Sequence, residues 1–319
     1  MGVWKLQASM AGTLALIIGL STLFFAVILS LTGYFDFLTL GLLVGGMNIV
    51  QWLISPYLIN AMYRAKEISQ TERPKLHEIV SNLSRKSGIK KPKLMLAQIP
   101  LPNAFAYGSP IAGTRVAVTE GLLKTLDDGE VEAVLGHELG HLKHRDVQVM
   151  MFVSILPAIA YFIGYSTMIS SAYSRGRNQN DMGPILGIAF MAFSWVMNLF
   201  ILSLSRQREY YADRHSASTV ENGSQKLSTG LAKIVSATRS MRGAKKEMKS
   251  MGAFKALFIA DPDRAEVDSA QLYSVRTGEG QKMVDEILSK KLTTAERVLE
   301  ILSTHPNIIK RLRALKQLS

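Results

Sequence analysis

Apolar and charged residues are segregated along this 319-residue chain. Four windows contain no charged side chain. The first lies between Lys5 and Asp36, with its apolar heart from Ala11 to Leu31. The second lies between Asp36 and Arg64, centred on Leu38 to Ile59. The third lies between Asp146 and Arg175, and the fourth between Asp181 and Arg206. A hydrocarbon core of about 30 Å takes roughly 20 helical residues, so each window predicts a membrane-crossing helix. The first is too long for a cleaved signal peptide and is followed at once by another apolar window, which predicts a retained anchor. Pro157 interrupts the third and the fourth is shorter, so these two either span fully or dip into or line a cavity.

The polar stretches between the windows carry helical and strand patterns. Leu76, Ile79, Val80 and Leu83 share one face, predicting a helix over Lys75–Ser87 that Gly88 ends. Short strands are predicted at Lys93–Ala97, Asn103–Tyr107 and Arg115–Thr119, the last two joined by a turn with Gly108, Pro110 and Gly113. Glu120–Leu126 predicts a short helix. Asp127 or Asp128 caps a longer one that runs through His141, with the option of continuing straight into the third window. After the fourth window, helices are predicted from Gln207 to about Glu221, from Gln225 to about Met241, over Thr293–Ser303 and over Pro306–Leu318. Residues 242–280 read as mobile, and a short loop rich in Ser, Gly and Asn occupies 173–183. The expected organisation is two transmembrane helices in 1–63, a cytoplasmic segment 64–146, two further hydrophobic helices in 147–205 and a helical C-terminal segment 206–319.

Charge changes the picture in one respect. With 37 Lys and Arg against 25 Asp and Glu, the net charge of +12 invites a nucleic-acid partner. The basic residues instead flank the apolar windows, at Arg64, Lys66, Arg73 and Lys75 and at Arg206, Arg208 and Arg214. That distribution marks cytoplasmic loops, places both termini and the 64–146 segment in the cytoplasm, and argues against nucleic acid. Arg175 and Arg177 conflict mildly with it. The absence of cysteine excludes disulfides and thiolate metal ligands.

Chemistry concentrates at His137-Glu138-Leu139-Gly140-His141, an H-E-x-x-H motif in a predicted helix. Residues four apart stack on one helical face, so both imidazoles reach one metal ion, and Glu138 is placed to hold a water on it. Zinc suits nitrogen and oxygen ligands with one open position, and catalytic zinc usually keeps three protein ligands. Glu209 and Asp213, again four apart, follow the fourth window at once. Glu209 is the candidate third ligand. Asp213 is the candidate acceptor for the far ring nitrogen of a zinc histidine. His144, one turn beyond His141, reads as a supporting or surface residue, and His77 and His215 as structural.

These motifs, with Pro102-Asn103-Ala104-Phe105-Ala106 and Thr304-His305-Pro306, resemble the HtpX-type integral membrane zinc metallopeptidases, relatives of the CAAX-prenyl endopeptidases. The resemblance covers most of the chain. It implies a mainly α fold with a small β-sheet, in which membrane helices accompany a gluzincin-like zinc metallopeptidase domain formed from two cytoplasmic segments. It also implies one Zn(2+) per chain in a plasma-membrane endopeptidase that acts on damaged or misfolded membrane proteins. Asn103 and Ala104 would hold the substrate backbone. His305 and Arg311 would lie near the metal, His305 stabilising the tetrahedral intermediate and Arg311 helping it or binding substrate. For His305-Pro306 the plainer reading is a helix start with proline at the first position. For Arg311 it is a solvated helix face. A specific processing peptidase of CAAX-prenyl type, a non-catalytic zinc-binding membrane scaffold and a zinc transporter are the alternative functions. The transporter would need polar metal-binding groups within the spans.

Overall fold

The computed structural model describes residues 37–174, 182–240, 280–290 and 292–318. The first apolar window, most of the 173–183 loop and nearly all of 242–280 lie outside the described residues. In chain order the elements are helix α1 (Phe37–Met62), strand β1 (Ala65–Glu67), helix α2 (Pro74–Ser87), and strands β2 (Lys93–Ala97), β3 (Ala104–Ser109) and β4 (Gly113–Thr119). Helices α3 (Glu120–Thr125), α4 (Asp128–Lys143), α5 (Asp146–Ser174) and α6 (Gly183–Thr219) follow. Helices α7 (Gly223–Ser240), α8 (Gly280–Leu288), α9 (Thr294–Ile301) and α10 (Ile308–Lys316) complete the order. Two compact units emerge, one built from the chain up to Trp52 with Gln148–Leu204, the other from Leu53–Val147 with Ser205–Ser319.

The first unit is apolar. Among the described residues, α6 is the one helix long and apolar enough to cross a membrane. Its Ile185, Leu186, Ile188, Phe193, Trp195 and Phe200 are exposed, the reverse of a soluble core helix. A Cβ on Gly187 would lie 2.7 Å from the Gly164 carbonyl oxygen, so these glycines let α5 and α6 meet backbone to backbone. The Ser194 hydroxyl donates to the Pro157 carbonyl at 2.8 Å, tying the helices at the proline.

The second unit carries a four-stranded sheet in the order β1-β2-β4-β3. β2 and β4 run parallel, with Leu96 opposite Val118, while the other pairs are antiparallel. Strand alternation gives the two faces different loads. Ala104, Val116 and Val118 enter the larger core with α2, α4, α7, α8 and α10. Phe105, Tyr107 and Ala117 enter a smaller one with Ile59 and Tyr63 at the end of α1. β1 was hidden within a basic stretch that offers no strand alternation, and α8 lies in a segment whose reading as mobile stops at its first residue. The N-cap of α4 is Asp127, in a capping box with Glu130. α4 does not run on into α5. It stops at Lys143, and Arg145 turns the chain in the left-handed region (φ 55) before α5 begins.

Candidate metal centre

The site is built on α4, which is buried from Ala133 through Gly140. Gly136 and Gly140, one turn apart, remove side chains from the face that meets α6. A Cβ on Gly140 would stand 3.1 Å from both Ala212 Cα and His215 Cβ, and one on Gly136 would stand 3.2 Å from Ser216 Oγ. This close approach delivers Glu209 to the histidines. His137 Nε2 and His141 Nε2 are 3.2 Å apart. The Glu209 carboxylate lies 3.6 Å from His137 Nε2 and 3.5 Å from His141 Nε2.

The surroundings of these groups orient their rings. His137 Nδ1 stands 2.9 Å from Asp213 Oδ1, and His141 Nδ1 stands 2.6 Å from Asp146 Oδ2. Each aspartate faces Nδ1 of its ring, which turns Nε2 of both rings toward one point. Two imidazole nitrogens and a carboxylate therefore converge, a donor set suited to a divalent cation. Ligands about 2.0 Å from a tetrahedral zinc are about 3.3 Å apart, close to the separations here. His137, His141 and Glu209 fit a divalent ion.

Each supporting aspartate is itself held by an arginine. Arg311 donates to Asp213 through Nε at 2.9 Å and Nη2 at 2.6 Å, and its Nη1 lies 3.1 Å from Glu209 Oε2. Arg208 pairs with Asp146. The sets differ in burial: the side chains of Asp213 and Arg311 are 2% exposed, those of Asp146 and Arg208 11%. Burial opposes the charge on Glu209, but His305 and then Arg311 outweigh it and hold the carboxyl well below its ordinary range. Burial likewise opposes ionisation of Asp213, and Arg311 and His137 prevail. Glu138 ends the other way. Its burial raises the carboxyl above the ordinary value despite His137 and His141.

Two contacts aim the remaining groups. The backbone N–H of Ala106 donates to Glu138 Oε2 at 2.9 Å, so the edge strand grips the carboxylate. Arg206 Nη1 donates to the carbonyls of Glu300, Ile301 and Ser303 at 2.9, 3.0 and 2.8 Å, closing the end of α9. The segment beyond it brings His305 Nδ1 to 3.4 Å from Glu209 Oε2. The helix after it starts at Ile308 with Asn307 as N-cap, so Pro306 precedes the helix instead of opening it.

The structure brings together His137, Glu138, His141, Glu209, Asp213, His305 and Arg311. It places Arg311 in the interior, 2% exposed, so it is not on a solvated face and is turned to the carboxylates. Asn103 and Ala104 are buried, Asn103 bonded through its N–H to Thr119 Oγ1 at 2.9 Å and through its carbonyl to Thr119 N at 3.0 Å. The part-exposed backbone of the strand lies further along, at Ala106 and Gly108. His144 is an exposed C-cap, while His77 and His215 bond to the Ile68 carbonyl and to Ser87. Asp146, Arg206, Arg208 and the Ala106 N–H were not foreseen. A carboxylate just past the second histidine was the available signal for Asp146. Asp146→Ala is expected to weaken zinc binding about 10- to 100-fold, measured by competition with a chromophoric chelator.

The profile of peptidase family M48 matches residues 70–319. The chain belongs to peptidase family M48. Among its M48 relatives, the protease HtpX homologue of Thermoplasma acidophilum is 39% identical over 277 residues, 85% of this chain and 82% of that one. The Aeropyrum pernix homologue is 39% identical, covering 88% and 86%. That of Methanothermobacter thermautotrophicus is 40% identical over 237 residues, covering 74% and 88%. The crystal structure of S. mikatae Ste24p shares the fold, with a TM-score of 0.58 at 17% identity across 98% of this chain and 66% of that one. Family membership makes this M48 chain a metalloprotease acting on polypeptides.

Proposed function

We propose that the protein is a multi-pass membrane zinc endopeptidase with one zinc ion per chain, its active site and both termini cytoplasmic, acting in the quality control of damaged or misfolded membrane proteins. The convergence of His137, His141 and Glu209 beside Glu138 carries this reading. Held by His137, His141 and Glu209, a zinc ion would supply a water of lowered pKa and polarisation of the scissile carbonyl. Glu138 takes the water proton and passes it to the leaving amine, and the anchoring of Oε2 by Ala106 assigns this transfer to Oε1. His305 donates to the developing oxyanion. Arg311 holds Glu209 and Asp213 in place in preference to meeting substrate. An extended substrate pairs with the outer edge of β3 through the Ala106 carbonyl and the backbone of Gly108, the Ala106 N–H being held by Glu138. Such pairing reads backbone and suits a broad range of sequences. The basic residues after α1 support the cytoplasmic placement, although Arg206 and Arg208 are engaged inside the protein. A side chain in the position of Glu138 favours catalysis over a zinc scaffold.

Metal analysis of purified protein with a casein-cleavage assay tests the proposal. One zinc per chain, activity lost to a chelator and activity restored by zinc are the expected results. Cleavage that survives complete removal of the metal overturns it.

A further inference from the structure

The β3–β4 hairpin ends in a tip that the catalytic chemistry does not use. Ser109, Pro110, Ile111 and Ala112 form it, and Ile111 is 67% exposed. From Leu94 to Thr114 the chain has no charged residue, so the whole edge strand and its tip are neutral. The tip is fastened to α1. Ser109 Oγ donates to the Leu53 carbonyl at 3.0 Å, and the Tyr107 hydroxyl lies 2.5 Å from the Asn60 amide. Leu53 precedes Arg64, the first charge after the second apolar window, by about eleven residues, roughly 16 Å along a helix. Ile54, Leu58 and Met62, spaced four apart, expose 46%, 50% and 43% of their surfaces on this part of α1. Arg115, the first charge after the tip, lies over the Tyr57 ring at 5.3 Å, an aromatic–cation pair of the kind that settles at headgroup depth.

We propose that Pro110 and Ile111 insert into the bilayer surface beside α1, making the β3–β4 hairpin a lipid-contacting element. The occupant of this apolar face is lipid, because the tip is anchored to a helix at a level inside its charge-free run. The proposal rests on the reading of the apolar helices as membrane spans. It also narrows the substrate class. Ala106 lies five residues from Ile111, about 17 Å along a strand, so the edge that pairs with substrate begins close to the lipid. The enzyme favours extended segments that leave a membrane anchor within a few residues of the cut.

The chain has no cysteine, so single-cysteine variants label cleanly. Ile111→Cys and Pro110→Cys probe the tip, Leu186→Cys marks α6 in the span, and Glu221→Cys, exposed just beyond the end of α6 and fifteen residues past Arg206, marks the aqueous side. Each full-length protein is labelled with a fluorophore and reconstituted in phosphatidylcholine liposomes, with or without lipid nitroxide-labelled high on its acyl chain. The tip labels are expected to lose as large a fraction of their fluorescence as the Leu186 label, and the Glu221 label to lose none. If Leu186 is quenched while both tip labels behave as Glu221 does, the hairpin proposal is overturned and the membrane reading stands. If Leu186 also escapes quenching, the membrane reading fails and the proposal with it. Tip labels shielded only at high protein concentration point to a second copy of the chain and overturn the lipid assignment.

Discussion

Glu138→Gln is expected to lower kcat for casein about 10²- to 10⁴-fold while zinc content stays at the wild-type level. Glutamine keeps the shape of the side chain and can still accept the Ala106 N–H through its oxygen, so the edge strand and α4 keep their positions. It cannot take a proton from water. The metal ligands His137, His141 and Glu209 are untouched, which is why metal analysis accompanies the kinetics. Burial raises the Glu138 carboxyl, and a base must be unprotonated to act. Wild-type kcat/KM therefore falls as pH drops through the raised value, and this acid limb disappears in the variant. A variant with unchanged turnover removes Glu138 from the mechanism.

The second large effect is structural. Arg311→Ala is expected to cost about 3–5 kcal/mol, because it leaves Asp213 and Glu209 buried without their shared cation. Urea denaturation of zinc-free protein in detergent micelles measures the loss. Arg311→Lys is expected to recover only part of it, since an ammonium cannot reproduce the two parallel bonds to Asp213. The pH dependence has a defined sign. Both carboxyls are held below their unfolded values, so their contribution is present above about pH 4 and fades as pH falls through the folded values. In Arg311→Ala that acid-side loss shrinks. A stability unchanged within about 1 kcal/mol removes the Arg311 clamp on Asp213 and Glu209 from the account.

The parts of the site legible in the sequence are those whose spacing matches a helical period. His137 and His141 declare themselves by a four-residue step, and so do Glu209 and Asp213 on a helix fed by an apolar run. Asp146 escapes the same reasoning because it belongs to a different helix, reached through a left-handed turn at Arg145 that no local propensity announces. The Ala106 N–H is invisible for another reason: backbone groups have no letter in the sequence, and only the position of β3 at the sheet edge exposes them. For Arg311 the resemblance suggests a place near the metal, and the contacts to Glu209 and Asp213 come from the docking of α10 against the core, which no spacing in the sequence announces. Strands β2, β3 and β4 were found within one or two residues by alternation and turn residues. β1, three residues long, is too short for a pattern.

α10 sends Ile308, Ile309, Leu312 and Leu315 into the main core and Arg311 to the carboxylates, while the loop before it presents His305. A small amphipathic helix thus determines whether the centre is armed. Any change that undocks it would withdraw both Arg311 and His305 from Glu209 in one movement.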